Sequence, residues 1–329
     1  MTAGTTERTM IATNRPIVLF GGGGFVGRQV AQELLSQGYA VRIAQRTLRR
    51  ATAIRTLGRM GLTQFVSVDV TDLGQVSAAL EGAAGAVNLV GLLRGNMQAA
   101  HVTGAGNIAK AAAAAGLEAL VHVSAIGADE ASRSLYGRTK AQGEAAVRAD
   151  FPGATILRPS IMFGQDDAFT NRFARLIASG SAVPLLHVVP LIRGETRFQP
   201  VHVTDVACAI AMAAVDPASF GGKTFELGGP DILSLREINA WIADQIGRDC
   251  RFLPIPDGVA RNLATLTGWM PGAPITRDQF EMLLSDNVVA KGTMGLESFG
   301  IAPVPMAAIA PGWLAQYRKQ GRFGHTARA

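Results

Sequence analysis

The chain has 329 residues, 48% of them apolar and 17% charged, with a formal net charge of +6, which excludes a disordered or fibrous protein and allows a large core. Mean hydropathy is +0.21, yet no unbroken apolar run approaches the ~18–20 residues that a membrane-spanning helix needs. The two cysteines, Cys208 and Cys250, lack metal-ligand spacing and fit a reducing compartment.

Residues 1–15 are polar, lack an apolar targeting segment and are expected to form a loose tail. Ile17-Val18-Leu19-Phe20 has the continuous apolar pattern of a strand buried on both faces. Gly21-Gly22-Gly23-Gly24-Phe25-Val26-Gly27-Arg28 follows it, and Phe25, Val26, Val30, Leu34 and Leu35 recur at helical spacing up to Gly38. A strand, a glycine turn and a helix in that order form a dinucleotide cradle. Gly21 allows the tight turn, Gly24 the approach of backbone amides to a pyrophosphate, and Gly27 close packing of helix on strand. The positive end of the helix dipole then faces the phosphates.

Further strands are expected at Tyr39 to Ala44, Phe65 to Val68, Ala86 to Val90, Leu117 to Val123, Thr155 to Leu157 and Thr224 to Leu227. Their alternation with helical stretches is the rhythm of an α/β, doubly wound parallel (Rossmann) sheet, with its ligand at the carboxyl ends of the strands. Residues 16–164, with 201–228 returning to them, should form the dinucleotide-binding domain. Residues 165–200 and 229–317 should form a smaller, mixed α/β second lobe, and 318–329 a basic tail. Helices are expected at 203–215, 234–247, 257–267 and 276–285, the first capped by Thr204 or Asp205 and the second by a Ser234/Glu237 capping box. Trp241, Trp269 and Trp313 read as anchors of the second lobe.

Basic residues cluster at Arg42, Arg46, Arg49, Arg50, Arg55 and Arg59, and again at Arg318, Lys319, Arg322 and Arg328, with no aromatic residues interleaved to stack on bases. That distribution argues against nucleic acid as a partner. The second strand runs into Gln45-Arg46, without the carboxylate that binds the ribose hydroxyls of NAD, so NADP(H) is favoured over NAD(H). Arg46 is the first candidate for the 2′-phosphate, supported by Arg28, Arg49 or Arg50. His101, His122, His187, His202 and His325 show no metal-ligand spacing, and each reads as a core or surface histidine, so no metal is expected.

Tyr136 and Lys140 lie four apart at the start of an expected helix and so share a face. An ammonium beside a phenol favours the phenolate, which suits proton exchange with a substrate oxygen. Lys140 would also hold ribose hydroxyls, and Ser124, at the end of the fifth strand, could steady the same substrate oxygen. Together these residues leave an NADPH-dependent oxidoreductase open.

These motifs resemble the extended short-chain dehydrogenase/reductases of the atypical kind, over about residues 16–318. Phe20 to Arg28, Asn88-Leu89-Val90-Gly91, Tyr136 to Glu144, Leu157-Arg158-Pro159-Ser160, Phe198-Gln199-Pro200-Val201 with Asp205-Val206-Ala207, Glu226 to Pro230, and Asp286-Asn287-Val288-Val289 together resemble one branch of them. That branch is subunit nine of the alpha subcomplex of respiratory complex I, NADH:ubiquinone oxidoreductase, in a bacterial form. The resemblance implies that the glycine turn, with Phe25, Val26 and Arg28, holds the pyrophosphate side. It further implies that Asp69 and Val70 hold the adenine, that Asn88, Val90 and Gly91 form the cofactor wall, and that Ser124, Tyr136, Lys140 and Pro159 hold the nicotinamide half. It implies an NADP(H)-binding accessory subunit on the peripheral arm, with little or no turnover, at the cytoplasmic face of the inner membrane and without a transmembrane segment. The asparagine of active reductases has no certain counterpart; Asn107 lies on the corresponding helix. The alternatives are a free-standing NADPH-dependent reductase, an epimerase-like enzyme acting on nucleoside-diphosphate sugars, and a redox-sensing regulator; a homo-oligomer also stays open.

Overall fold

The computed structural model describes residues 15–49, 54, 61–179, 188–270, 275–319 and 321. Residues 1–14 of the expected amino-terminal tail, Arg50, Arg55, Arg59, His187, His325 and most of the basic carboxyl tail lie outside the described residues, while Arg15 is tied to Glu118 at 2.9 Å. The chain divides into two compact units, one of residues 1–159, 204–226 and 293–301, the other of 160–203, 227–292 and 302–329.

The first unit begins with β1 (Ile17–Phe20), α1 (Phe25–Ser36), β2 (Val41–Gln45), β3 (Thr63–Ser67), α2 (Leu73–Leu80) and β4 (Gly85–Asn88). A π-helical turn (Gln98–Thr103) then runs straight into α3 (Gly104–Ala114), followed by β5 (Ala119–Val123), α4 (Leu135–Asp150) and β6 (Thr155–Pro159). The seven-stranded parallel sheet has the order β11, β6, β5, β4, β1, β2, β3, where β11 is Thr224–Leu227. Chain order therefore reverses between β1 and β4, which pair in register from Ile17 with Gly85 to Phe20 with Asn88. Such a switch point opens a crevice at the carboxyl ends of the strands, where Gly21 and Asn88 stand.

Both faces of the sheet are covered, so β1, β4 and β5 are buried throughout. Val18, Phe20, Val76, Leu80, Ile108, Leu120 and Ile156 form one core beneath α2 and α3. Ala105, Ala109 and Ala112 of α3 lie fully buried in that core. Arg158 on β6 grips Glu144 on α4 through two hydrogen bonds of 2.9 and 2.7 Å and meets Glu226 on β11 at 3.6 Å. Two helices, α6 (Val203–Val215) and α7 (Pro217–Phe220), and a 3-10 turn at Leu296–Phe299 complete this part. Because α6 begins at Val203, Thr204 and Asp205 lie inside its first turn and not at its cap, a correction to the sequence expectation.

In the second unit β7 (Met162–Phe163) pairs with β10 (Val201–His202), β9 (Arg197–Phe198) with β12 (Leu233–Ser234), and β8 (Val188–Ile192) with β13 (Arg251–Ile255). Its longer helices are α5 (Thr170–Ala178), α8 (Leu235–Gln245), α9 (Asp257–Thr267) and α10 (Arg277–Met282), and two single helical turns follow at Met306–Ile309 and Pro311–Leu314. Ser234 and Glu237 form the expected capping box on α8, and Thr276 with Gln279 forms a second one on α10. The Asn287 side-chain oxygen accepts from Ser160 Oγ at 2.7 Å and from the Ile161 amide at 2.9 Å, while Gln199 accepts from the Val289 amide at 3.0 Å and donates to the Gly229 carbonyl at 2.8 Å. The motifs quoted for this half of the chain are thus the stitches between its segments. Trp313 is buried and Trp241 packs on the same core, but Trp269 is 79% exposed and anchors nothing. Among the described residues no helix is long and apolar enough to cross a membrane.

Candidate dinucleotide site

The crevice at the switch point is built by backbone first. Gly21 has φ +80°, a conformation that other residues adopt only with strain, and it turns the chain from β1 toward α1. A Cβ at Gly27 would run into the backbone of Gly22, so glycine alone lets α1 lie this close to the turn. Gly24 occupies the helix cap with no side-chain hydrogen bond, which leaves the first-turn amides of α1, at Phe25 and Val26, to face an anion.

At the end of β2, Gln45 accepts from the Gly23 amide at 2.8 Å, and Arg46 beyond it is exposed. Asp69 accepts from both the amide and the hydroxyl of Thr71, at 3.0 and 2.8 Å, and these bonds hold its carboxyl below the usual range. Val70 is half-buried, and its carbonyl accepts from Asn107 Nδ2 at 3.0 Å. Asn107 therefore ties α3 to the loop after β3.

Buried Asn88 accepts from the Val90 amide at 3.0 Å and lies 3.0 Å from His122 Nδ1, which fixes the wall that runs through Val90 to exposed Gly91. Beyond β5, Ser124 Oγ is buried without a hydrogen-bond partner among the described residues. Lys140, also buried, donates to the Val123 carbonyl at 2.7 Å and so braces the end of that strand. Pro159 closes β6 and is buried.

Burial pushes the Tyr136 phenol up to about 12. Burial also pulls the Lys140 ammonium down to about 8, partly offset by Glu144. Burial thus moves Tyr136 away from the phenolate, and the phenol stays protonated and able to donate at neutral pH. His101, judged core or surface from sequence, is core and makes two bonds there, its Nε2 accepting from the Leu92 amide at 2.8 Å and its Nδ1 lying 2.9 Å from Thr139 Oγ1.

The residues fit a nicotinamide dinucleotide on three counts: an uncapped helix start behind a glycine turn, a wall fixed by Asn88, and an orphaned Ser124 hydroxyl. A buried hydroxyl without a partner costs about 1–3 kcal/mol, so it marks a place where a ligand atom belongs. Among the described residues no group of three or more His, Cys, Asp or Glu could hold a metal ion.

The model of the NAD dependent epimerase/dehydratase family matches residues 17–228. The chain belongs to that family. A nicotinamide dinucleotide is the family's cofactor class, in agreement with the cradle. The chain is 30% identical to the mitochondrial NADH dehydrogenase (ubiquinone) 1 alpha subcomplex subunit 9 of Arabidopsis thaliana, over 94% of this chain and 79% of that protein. It is 33% identical to the subunit 9 of Rattus norvegicus, over 88% of this chain and 76% of that protein. The likeness to subunit 9 expected from the motifs thus extends along most of the chain. The solved triphenylmethane reductase of Citrobacter sp. shares the fold, with a TM-score of 0.73 and 17% identity over 91% of this chain and 99% of that one.

Proposed function

We propose that this chain is an NADP(H)-holding accessory subunit of respiratory complex I, retained there for its bound dinucleotide and not for turnover. The observation that carries the reading is the 30–33% identity to mitochondrial subunit 9 proteins over 88–94% of the chain. The glycine turn and the first turn of α1 would hold the pyrophosphate, Arg46 and Arg28 the 2′-phosphate, and Asp69 and Val70 the adenine. Asn88, Val90 and Gly91 would line the middle, and Ser124, Tyr136, Lys140 and Pro159 the nicotinamide half. When bound, the dinucleotide supplies the two-electron redox chemistry of the nicotinamide ring.

The protein's own groups favour holding over proton exchange. A phenol at about 12 gives a hydrogen bond readily but loses its proton only at high pH, and Lys140 directs one of its donors to the Val123 carbonyl. In this reading the chain sits peripherally at the cytoplasmic face of a bacterial inner membrane, docked to the peripheral arm through its second unit.

Purification from detergent-solubilised membranes tests the reading: the chain should emerge with respiratory-chain subunits and carry NADP(H). The alternative, a free-standing NADPH-dependent reductase or epimerase-like enzyme, draws on the retained Ser124, Tyr136 and Lys140. A soluble chain found apart from those subunits, with steady NADPH oxidation abolished by Tyr136→Phe, would establish that alternative.

A further inference from the structure

We infer that His101 is a positioning residue for the dinucleotide, pinning the loop after β4 to the helix that carries Tyr136 and Lys140. The inference rests on the reading of this site as a nicotinamide dinucleotide site. His101 sits on the π-helical turn ahead of α3, and its side chain is 1% exposed. The Leu92 amide can only donate, so Nε2 must present its lone pair and the ring proton lies on Nδ1. Nδ1 then donates to Thr139 Oγ1 at 2.9 Å, and that hydroxyl donates to the Tyr136 carbonyl at 3.2 Å. The ring stands edge-on to Tyr136, with centroids 5.6 Å apart and planes at 87°.

Three hydrogen bonds in series therefore join Leu92, next to the wall residues Asn88 to Gly91, with the first turn of α4. A buried imidazole needs partners for both nitrogens, and here they come from two segments, 9 and 38 residues away, that both face the site. The close approach is built in, because a Cβ at Gly143 on α4 would strike the His101 carbonyl. Asn107 does not make this link, since its amide serves the Val70 carbonyl. In this chain the loop and the tyrosine helix are joined by an imidazole.

The test compares His101→Leu, which removes both bonds, with His101→Gln, whose longer amide can still accept from the Leu92 amide. NADPH affinity is measured by titration, and exchange of the Leu92 amide is followed by hydrogen–deuterium exchange in the unliganded protein. We expect His101→Leu to lose about tenfold in NADPH affinity and to lose protection at Leu92, and His101→Gln to recover both. Thr139→Val, which removes the acceptor for Nδ1, gives a second route if His101→Leu fails to fold, and it should weaken NADPH binding in the same direction. Unchanged Leu92 protection in a folded His101→Leu protein, or wild-type NADPH affinity in it, overturns the inference. A wild-type protein that binds neither NADPH nor NADH would instead overturn the reading of the site, while the Leu92 exchange would still report whether His101 holds the loop.

Discussion

Gln45, the last residue of β2, accepts a hydrogen bond from the Gly23 amide at 2.8 Å and donates from its own amide to the Thr47 carbonyl at 2.6 Å. A neutral side chain thus occupies the place where a carboxylate would meet ribose hydroxyls, and both of its ends are already engaged. Arg46 stands exposed beside it and close enough to Asp69 to lower that carboxyl further. The wild-type protein should therefore bind NADPH more tightly than NADH. Arg46→Ala should weaken NADPH binding about ten- to a hundredfold while leaving NADH little changed, since a charge-assisted bond is worth about 1.5–3 kcal/mol. Titration with both cofactors decides it, and equal wild-type affinities would sink the preference.

Arg158 is the structural clamp of the sheet's outer half, bidentate to Glu144 and within 3.6 Å of Glu226. The two carboxylates are nearly buried, so removing the guanidinium takes away the charge that faces both of them. Arg158→Leu should destabilise the protein by about 3–5 kcal/mol, the usual cost of breaking a buried pair from one side. Urea unfolding followed by circular dichroism measures this. A loss below about 1 kcal/mol would mean that water reaches the carboxylates and the clamp is only a surface pair.

Much of the dinucleotide half is legible in the sequence because its signals are local. Buried parallel strands read as apolar runs, and a glycine turn between strand and helix has one common use. What escaped depends on contacts between distant segments. β8 and β13 each carry a proline, Pro190 and Pro254, which argues against a strand until the two are seen paired with each other. The return of residues 293–301 to the first unit has no sequence signature. Thr276 and Gln279 had the spacing of a capping box and could have been found, and the helix they start ends at Met282, short of the expected 285. His101 could not: a π-helical turn leaves no pattern, and its partners Leu92 and Thr139 lie 9 and 38 residues away.

The same histidine makes stability depend on pH. Burial, and then the Lys140 charge, pull the His101 imidazole from 6.5 to about 4 in the folded chain, so folding favours its neutral form. The unfolded chain takes up that proton first as pH falls, so the contribution is complete above about 6.5 and is lost progressively toward about 4. Its full size is about 3 kcal/mol. Buried His122 is shifted in the same direction, by burial first and then by Lys140 and His101. His101→Gln should therefore lose less stability than the wild type between pH 6.5 and 4, and parallel curves from urea melts would show that His101 is not held neutral.

Met306 and Trp269 are both large apolar residues of the second unit, and their surroundings are opposite. Met306 is 5% exposed within the core that holds Trp313, so a charge there would unfold the second unit and report nothing about docking. Trp269 is 79% exposed, with its indole nitrogen donating to the Leu266 carbonyl at 2.9 Å. Val259, Leu263 and Leu266 on α9 are exposed as well, at spacings of four and three residues that put them on one face of the helix. Trp269→Lys should change stability by less than about 0.5 kcal/mol, as exposed substitutions do, whereas Met306→Ala should cost about 2–5 kcal/mol. If the second unit docks through this face, Trp269→Lys should also lower the fraction of the chain that co-purifies with membrane respiratory subunits while its NADPH affinity holds. An unchanged fraction would remove Trp269 from the docking surface and leave the second unit to be anchored elsewhere.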